Sequence, residues 1–304
     1  MNILIVGLGA IARKHIEVLK QKKGVNLYAL RSSIDANTYD GVKNIFSLNE
    51  INDLSIDSFF ITNPTAYHYR TIADILKFGK PLFIEKPVFD VVDESNNALI
   101  ETIDSKEINT YVACNLRFLD CLHNIRHLIE DSRINEVNVY AGSYLPDWRP
   151  GINFRKNYSA NKEMGGGVHI DLIHELDYLY WIFGEPCEVH SIFKSRSSLE
   201  INAVDYANYL WEYKDFCVNT ILNYYRRDSK RTMEILTDDG TYIVDLLKNT
   251  IAKDGREIFS SAQTIADTYG EQIDFYLKNI LTGKAAEFNT AKEAYKVLKL
   301  CIRN

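Results

Sequence analysis

An α/β chain of two domains, the first a doubly wound parallel sheet and the second built on an open, mostly antiparallel sheet, is predicted by three features. The chain has 304 residues, and at about 150 residues per domain that length suits two domains. In its first third, short apolar runs alternate with helical patterns, as βαβ units require. Farther on, several strand-like runs follow one another with turns such as Asp238-Asp239-Gly240 between them.

Taken in order, residues 2–6 read as a buried strand, 10–22 as a helix, 27–30 as a second strand and 58–62 as a later one. Residues 67–78 then read as a helix with Ile72, Ile75 and Leu76 on one face, stopped by Gly79 before a strand at 81–84. A helix at 94–105 and a strand at 110–114 complete a unit expected to span 1–120. The second domain is expected over 121–304. It opens with a helix at 122–129 and a strand at 136–144, and a helix over 168–183 precedes strands at 189–195, 208–213, 217–225, 231–237 and 241–246. A helix at 290–301 closes the chain.

Composition narrows the function classes. Hydrophobic residues make up 46% and charged residues 25%, the balance of a folded globular chain rather than a disordered or fibrous one. The 35 Lys and Arg against 41 Asp and Glu leave a net charge of -6, with no global attraction for nucleic acid or an anionic membrane. Cys114, Cys121, Cys187, Cys217 and Cys301 include no C-x-x-C pair, so neither a disulfide framework nor a cysteine zinc site is expected, and a reducing cytoplasm fits. The histidines lack metal-ligand spacing, and no metal is expected. The apolar start, broken by Gly7 and Gly9 and followed by Arg13 and Lys14, is too short for a membrane span and ordered wrongly for a signal peptide.

Between the first strand and first helix stands Gly7-Leu8-Gly9-Ala10-Ile11-Ala12, a G-x-G-x-x-A turn in the context of a dinucleotide fingerprint. Gly7 permits the turn, Gly9 lets backbone approach a pyrophosphate, and Ala12 is small enough for close packing of helix on strand. The free amides of the helix start, at Ala10 and Ile11, face the anion. A plain tight turn is the alternative. The acidic residue such a fingerprint places after the second strand is missing: Arg31, Ser32 and Ser33 stand there, with Asp35 the nearest carboxylate. A guanidinium followed by hydroxyls suits a 2′-phosphate, so NADP(H) is expected over NAD(H).

A second motif, Glu85-Lys86-Pro87, follows the strand at 81–84 and puts Lys86 at the carboxyl end of a parallel strand, where open α/β sheets take their ligands. Together with the glycine turn it resembles the hallmark of the glucose-fructose oxidoreductase, inositol dehydrogenase and MocA family. Three further stretches match in order: Thr62-Asn63-Pro64-Thr65 with His68, similar to the family's cofactor-lining strand end; Asn115-Leu116-Arg117-Phe118, similar to its domain-junction motif; and Gly165-Gly166-Gly167 ahead of an Asp and a His. The resemblance covers residues 3–183. It implies an N-terminal Rossmann domain with Glu85 and Asn115 also lining the cofactor, a C-terminal α/β domain used for oligomer contacts, and NAD(P)-dependent chemistry on sugars or cyclitols without metal.

On the helix expected at 168–183, Asp171 and His174 are three residues apart and share a face. His174 can exchange the proton of a substrate hydroxyl while Asp171 hydrogen-bonds the sugar or orients the catalytic group. In the family this resembles, the lysine of E-K-P together with such an Asp and His is catalytic, which implies Lys86, Asp171 and His174. The family majority spaces its Asp and His by four, so one residue is missing here, and His169 is a spare candidate. Asp177 is expected to pack or cap. The loop before that helix carries Trp148, Arg149, Arg155 and Tyr158, residues able to stack on a sugar and hold its phosphate or carboxylate; a basic, partly apolar connector is the alternative. Its wording, with the helix after it, looks like a family branch associated with surface-glycan and amino-sugar synthesis.

The resulting expectation is an oxidoreductase that passes hydride between nicotinamide and a carbinol or carbonyl carbon of a sugar, amino sugar or sugar nucleotide. It is expected to form a homo-oligomer, dimer or tetramer, without nucleic-acid or membrane partners. Imine or enone reduction, redox-assisted elimination and a non-enzymatic nucleotide sensor are the rival readings. The intact Lys86, Asp171 and His174 set argues against the sensor, since binding alone needs none of the three.

Overall fold

The computed structural model describes residues 1–33 and 37–303, so Asp35 lies outside the described residues. The chain divides into two compact units, one of Met1–Cys114 with Tyr269–Leu298 and the other of Asn115–Thr268 with Lys299–Asn304. The division thus differs from the expected 1–120 and 121–304, because residues 269–298 return to the first unit. The physical cause is an aromatic socket. Tyr276 meets Phe60 and Phe83 edge-on at 5.5 and 5.3 Å, and its hydroxyl bonds to that of Ser58 at 2.6 Å.

The first unit runs β1 (Asn2–Val6), α1 (Ala10–Lys20), β2 (Asn26–Leu30), β3 (Val42–Ile45), β4 (Ser58–Ile61), α2 (His68–Ile75), β5 (Leu82–Ile84), α3 (Glu94–Ser105) and β6 (Thr110–Val112). Its six strands are all parallel in the order β3-β2-β1-β4-β5-β6. Consecutive residues of a strand point to opposite faces, and Ile3, Leu4, Phe59, Phe60, Phe83 and Ile84 are all fully buried, so both faces are covered. That is why these strands read as unbroken apolar runs. The order reverses between β1 and β4, and such sheets bind ligands beyond the carboxyl ends of the strands at that point. Asp93 caps α3, accepting a bond from the Asn96 amide at 2.8 Å, and Gly79 ends the helical stretch after α2 with a left-handed φ of 60°.

The second unit holds α4 (Asp120–Leu128), β7 (Ile134–Tyr144), α5 (Val168–Asp171), α6 (Ile173–Phe183), β8 (Glu188–Lys194), β9 (Tyr206–Glu212), β10 (Cys217–Asn223), β11 (Tyr225–Thr237), β12 (Gly240–Asp245), β13 (Thr250–Lys253) and β14 (Arg256–Ser260). The eight strands lie in the order β14-β13-β12-β11-β7-β10-β9-β8, antiparallel throughout except where β7 meets β10. Burial alternates along β9, with Ala207, Tyr209 and Trp211 wholly inside and Tyr206, Asn208 and Leu210 facing outward. The inner face is covered by α4 against β12, β13 and β14 and by α5 against β9 and β10.

The single helix expected over 168–183 is in fact two. Leu172, with ψ at 29°, leaves the helical path between α5 and α6, so Asp171 and His174 belong to different helices and their shared face does not follow from helical spacing. Among the described residues no helix is long and apolar enough to cross a membrane.

Candidate functional site

The turn after β1 is shaped by one close approach and one open space. Gly7 has φ +94°, and a Cβ on it would lie 2.4 Å from the Asn63 backbone, so no other residue fits. A Cβ on Gly9 would meet nothing within 4 Å. Gly9 is also the N-cap of α1 and supplies no side-chain acceptor, leaving the first-turn amides of Ala10 and Ile11 uncapped by any side chain. Ala12 is fully buried under the helix. Thr62 ties the end of β4 to this turn, its hydroxyl donating to the Gly7 carbonyl at 2.6 Å. The Asn63 amide nitrogen donates to Thr71 at 2.8 Å, while its Oδ1 is buried with no partner among the described residues. Open space above uncapped amides, with an orphaned acceptor at the neighbouring strand end, fits a dinucleotide. Pro64 is exposed beside Asn63.

Arg31 directly follows β2, with Nη1 donating to the Asn37 carbonyl at 2.8 Å and to Asn44 Oδ1 at 3.2 Å, and Ser32 is exposed next to it. His68 does not present its ring to solvent: it is fully buried, with Nδ1 3.1 Å from the carbonyls of Pro87 and Val88 and Nε2 3.0 Å from that of Asn63. Burial holds its pKa below the ordinary value.

The sheet ladder ends at Glu85, whose amide donates to the Ile61 carbonyl at 2.9 Å, and half-buried Lys86 follows, joined to Pro87 by a cis peptide. The Glu85 carboxylate is nearly buried and lies 2.5 Å from His15 Nε2. Sequence reading missed His15. The available signal was a histidine inside the buried stripe of α1, with Ala12, Ile16 and Leu19.

In the second unit Asp171 is the centre of a polar cluster. Tyr158 donates to its Oδ1 at 2.6 Å and Tyr224 to its Oδ2 at 2.5 Å. Burial, followed by the Asp171 charge, raises both phenols well above their ordinary range, so they stay protonated and act as donors. The ring of Trp148 stands edge-on to Tyr224 at 5.3 Å and the Arg149 guanidinium lies 5.5 Å from the centre of Tyr158, while Arg149 also donates to Asn157. Trp148, Arg149 and Tyr158 are therefore gathered around Asp171. Arg155 is not: it donates to the Leu199 carbonyl at 2.9 Å and sits 3.8 Å from Glu200. Tyr224, between β10 and β11, was missed by sequence reading. Only the fold brings it to Asp171.

His174 is half-buried near the start of α6. His169 packs its ring 5.0 Å from Phe193, and burial lowers its pKa to about 4. Gly166 is required by packing, since a Cβ there would come 1.9 Å from the Tyr158 carbonyl oxygen. Asn115 donates to Thr268 at 2.7 Å with both residues buried. Arg117 of the same motif makes a buried two-pronged ion pair with Asp177, both bonds 2.8 Å. That pair replaces the packing or capping role expected for Asp177. Among the described residues Glu188, His190 and Glu212, the first two exposed, bring one ligand atom each within 4.8 Å of one another, a grouping that acidic surfaces commonly show without an ion.

Residues 1–113 match the family profile described as oxidoreductase family, NAD-binding Rossmann fold, and residues 122–243 match the GFO/IDH/MocA C-terminal domain. The myo-inositol 2-dehydrogenase of Thermotoga maritima is 22% identical over 93% of this chain and 89% of its own length. Among solved structures, scyllo-inositol dehydrogenase from Lactobacillus casei, with bound NAD(H) and scyllo-inositol, superposes with a TM-score of 0.80 at 20% identity over 99% of this chain and 95% of its own. UDP-N-acetylglucosamine 3-dehydrogenase GnnA from Acidithiobacillus ferrooxidans gives a TM-score of 0.77 at 19% identity, covering 100% and 96%. These structures share the fold. With both of its domain profiles matched in order, the chain belongs to the glucose-fructose oxidoreductase, inositol dehydrogenase and MocA family of NAD-binding oxidoreductases.

Proposed function

We propose that the protein interconverts a carbinol and a carbonyl on a sugar, amino sugar or sugar nucleotide, with Lys86, Asp171 and His174 as its catalytic group. The observation that carries this reading is the Asp171 cluster: a buried carboxylate fixed by two phenols, with an indole and a guanidinium against those phenols, is suited to hold polyhydroxylated rings. The names of the inositol and UDP-sugar dehydrogenases that share the fold agree with it.

The residues that would hold the cofactor are Gly7, Gly9, Ala10 and Ile11 at the pyrophosphate, Thr62, Asn63 and Pro64 at the strand end, Glu85, Lys86 and Asn115 toward the nicotinamide, and Arg31 with Ser32 at the adenosine ribose. Bound there, nicotinamide accepts or supplies the hydride. The proton is the protein's task. In oxidation the substrate hydroxyl passes its proton to Lys86 Nζ or the His174 imidazole, and in reduction the same group returns it. Asp171, fixed at both oxygens, orients the sugar rather than carrying that proton. Arg31 and Ser32 favour NADP(H), with NAD(H) as the alternative.

A cytoplasmic setting agrees with the five free cysteines. A dimer or tetramer assembled on the outer face of the second unit's sheet would cover Ile192 and Ile243, which are 54% and 37% exposed.

The test is a panel of inositols, free sugars and UDP-sugars, each incubated with both cofactors while absorbance at the nicotinamide band is followed. With an active substrate in hand, Lys86→Met and His174→Ala should each lower turnover by roughly a hundredfold or more, with cofactor affinity nearly unchanged in His174→Ala and lowered far less than turnover in Lys86→Met. Retained turnover in either variant removes that residue from the mechanism.

A further inference from the structure

We propose that His15 and His68 are positioning residues that grip the segment Glu85–Val88 from two sides and thereby fix where Lys86 stands; the inference rests on the catalytic reading of Lys86. Past Glu85 the parallel ladder has ended, so what holds the residues on either side of Lys86 bears on where its main chain stands. On one side, His15 from α1 puts Nε2 2.5 Å from Glu85 Oε1, with its ring edge-on to Phe83 at 5.0 Å. His15 Nδ1 is buried and has no partner among the described residues, so the proton of a neutral ring belongs on Nε2, from which it donates a hydrogen bond to the carboxylate. On the other side, His68, the first residue of α2, faces the carbonyls of Pro87 and Val88 through Nδ1 and that of Asn63 through Nε2; a neutral ring donates from one nitrogen only, and the grip on this segment is made by the tautomer with its proton on Nδ1. Both histidines are fully buried.

Lys86 is thus flanked in sequence by one gripped side chain and one gripped carbonyl. The two grips come from the helix whose N-terminus faces the cofactor turn and from the helix that follows Asn63. Neither histidine needs to touch a substrate. Their effect is on the lysine, and a proton donor must be placed to a fraction of an ångström to act.

Two readouts test this in the full-length protein. The first needs no substrate: Lys86 is reductively methylated with formaldehyde and a borane complex, and its rate is followed by peptide mass spectrometry against exposed Lys23. His15→Leu should raise the Lys86 rate about threefold or more, because the segment opens more often, while Lys23 is unchanged. His15→Gln, which returns an N–H donor near the place of Nε2, should stay within about twofold of the parent. The second readout is turnover on the active sugar, expected to fall about tenfold to a hundredfold in His15→Leu and to recover in His15→Gln, with cofactor affinity by fluorescence titration changed little. Should His15→Leu not fold, Glu85→Met removes the bond from the other side and carries the same expectation for the methylation rate, the readout that needs neither cofactor nor substrate.

A parent-like methylation rate in whichever of these variants folds overturns the proposal. So does equal loss in His15→Leu and His15→Gln, which assigns His15 to packing alone. If methylation responds as described but no sugar is turned over, the grip stands and the sugar-oxidoreductase reading fails.

Discussion

At the scale of single residues, legibility followed sequence distance. Gly7, Gly9, Glu85, Lys86 and Asp171 belong to short contiguous motifs, each with a local physical reason, and a reader of the sequence meets those reasons within a few positions. His15 and Tyr224 act through Glu85 and Asp171, partners 70 and 53 residues away, and nothing near them announces it. Two expectations belong at this scale. Tyr224→Phe deletes a donor to a buried carboxylate and should cost about 1.5–3 kcal/mol of stability, measured by urea unfolding. Arg31→Asp should move cofactor preference toward NADH in paired fluorescence titrations; equal binding of NADH and NADPH by the parent would show that Arg31 does not read a 2′-phosphate.

Elements were legible where burial imposes a pattern. The parallel strands β1, β4 and β5 are covered on both faces and announce themselves as apolar runs, and β9 announces itself by alternation. β3, with only Val42 and Ile45 buried, and the short pair β13 and β14 carry too little pattern to stand out. The break at Leu172 was invisible because its cause is backbone geometry within an apolar helical run. The turn from β1 into α1 offers a separable test of binding and folding. Gly9→Ala places its methyl in open space and should leave the melting temperature nearly unchanged while weakening NAD(H) and NADPH binding. Gly7→Ala drives a Cβ into Asn63 at a positive φ and should destabilise the fold itself, by more than about 1 kcal/mol.

On the scale of the whole molecule, buried histidines set a pH response. His68 and His123 are held below their ordinary value, chiefly by burial, and His169 is lowered to about 4 from 6.5. Each is lower in the folded chain than in the unfolded one, so below the unfolded value the unfolded chain binds more protons. The stability is therefore fully present above about pH 6.5 and is lost as pH falls through the folded values. The urea midpoint should drop between about pH 7 and pH 5, and less steeply in His169→Gln. Oligomer state is read by light scattering: the outer sheet face predicts a dimer or tetramer at micromolar concentration, and a monomer there would show that Ile192 and Ile243 remain solvated.

The return of residues 269–298 to the first unit has a consequence for biosynthesis. A ribosome makes the chain from its amino end, and domains commonly fold as they emerge. Here the nucleotide-binding unit cannot finish on emergence, because the ring that fills the socket of Phe60 and Phe83 is Tyr276, translated only after the whole stretch 115–268 of the second unit. Until then Ser58 lacks its hydroxyl partner and an aromatic surface stands open to water. The intervening residues 115–268 carry all the strands of the second sheet, so that sheet can pair before Tyr276 is made. A nascent chain stalled before residue 269 would therefore present chaperones with a first unit whose aromatic socket is open and a second unit that still lacks Lys299–Asn304, including the Cys301 carbonyl to which Tyr209 donates.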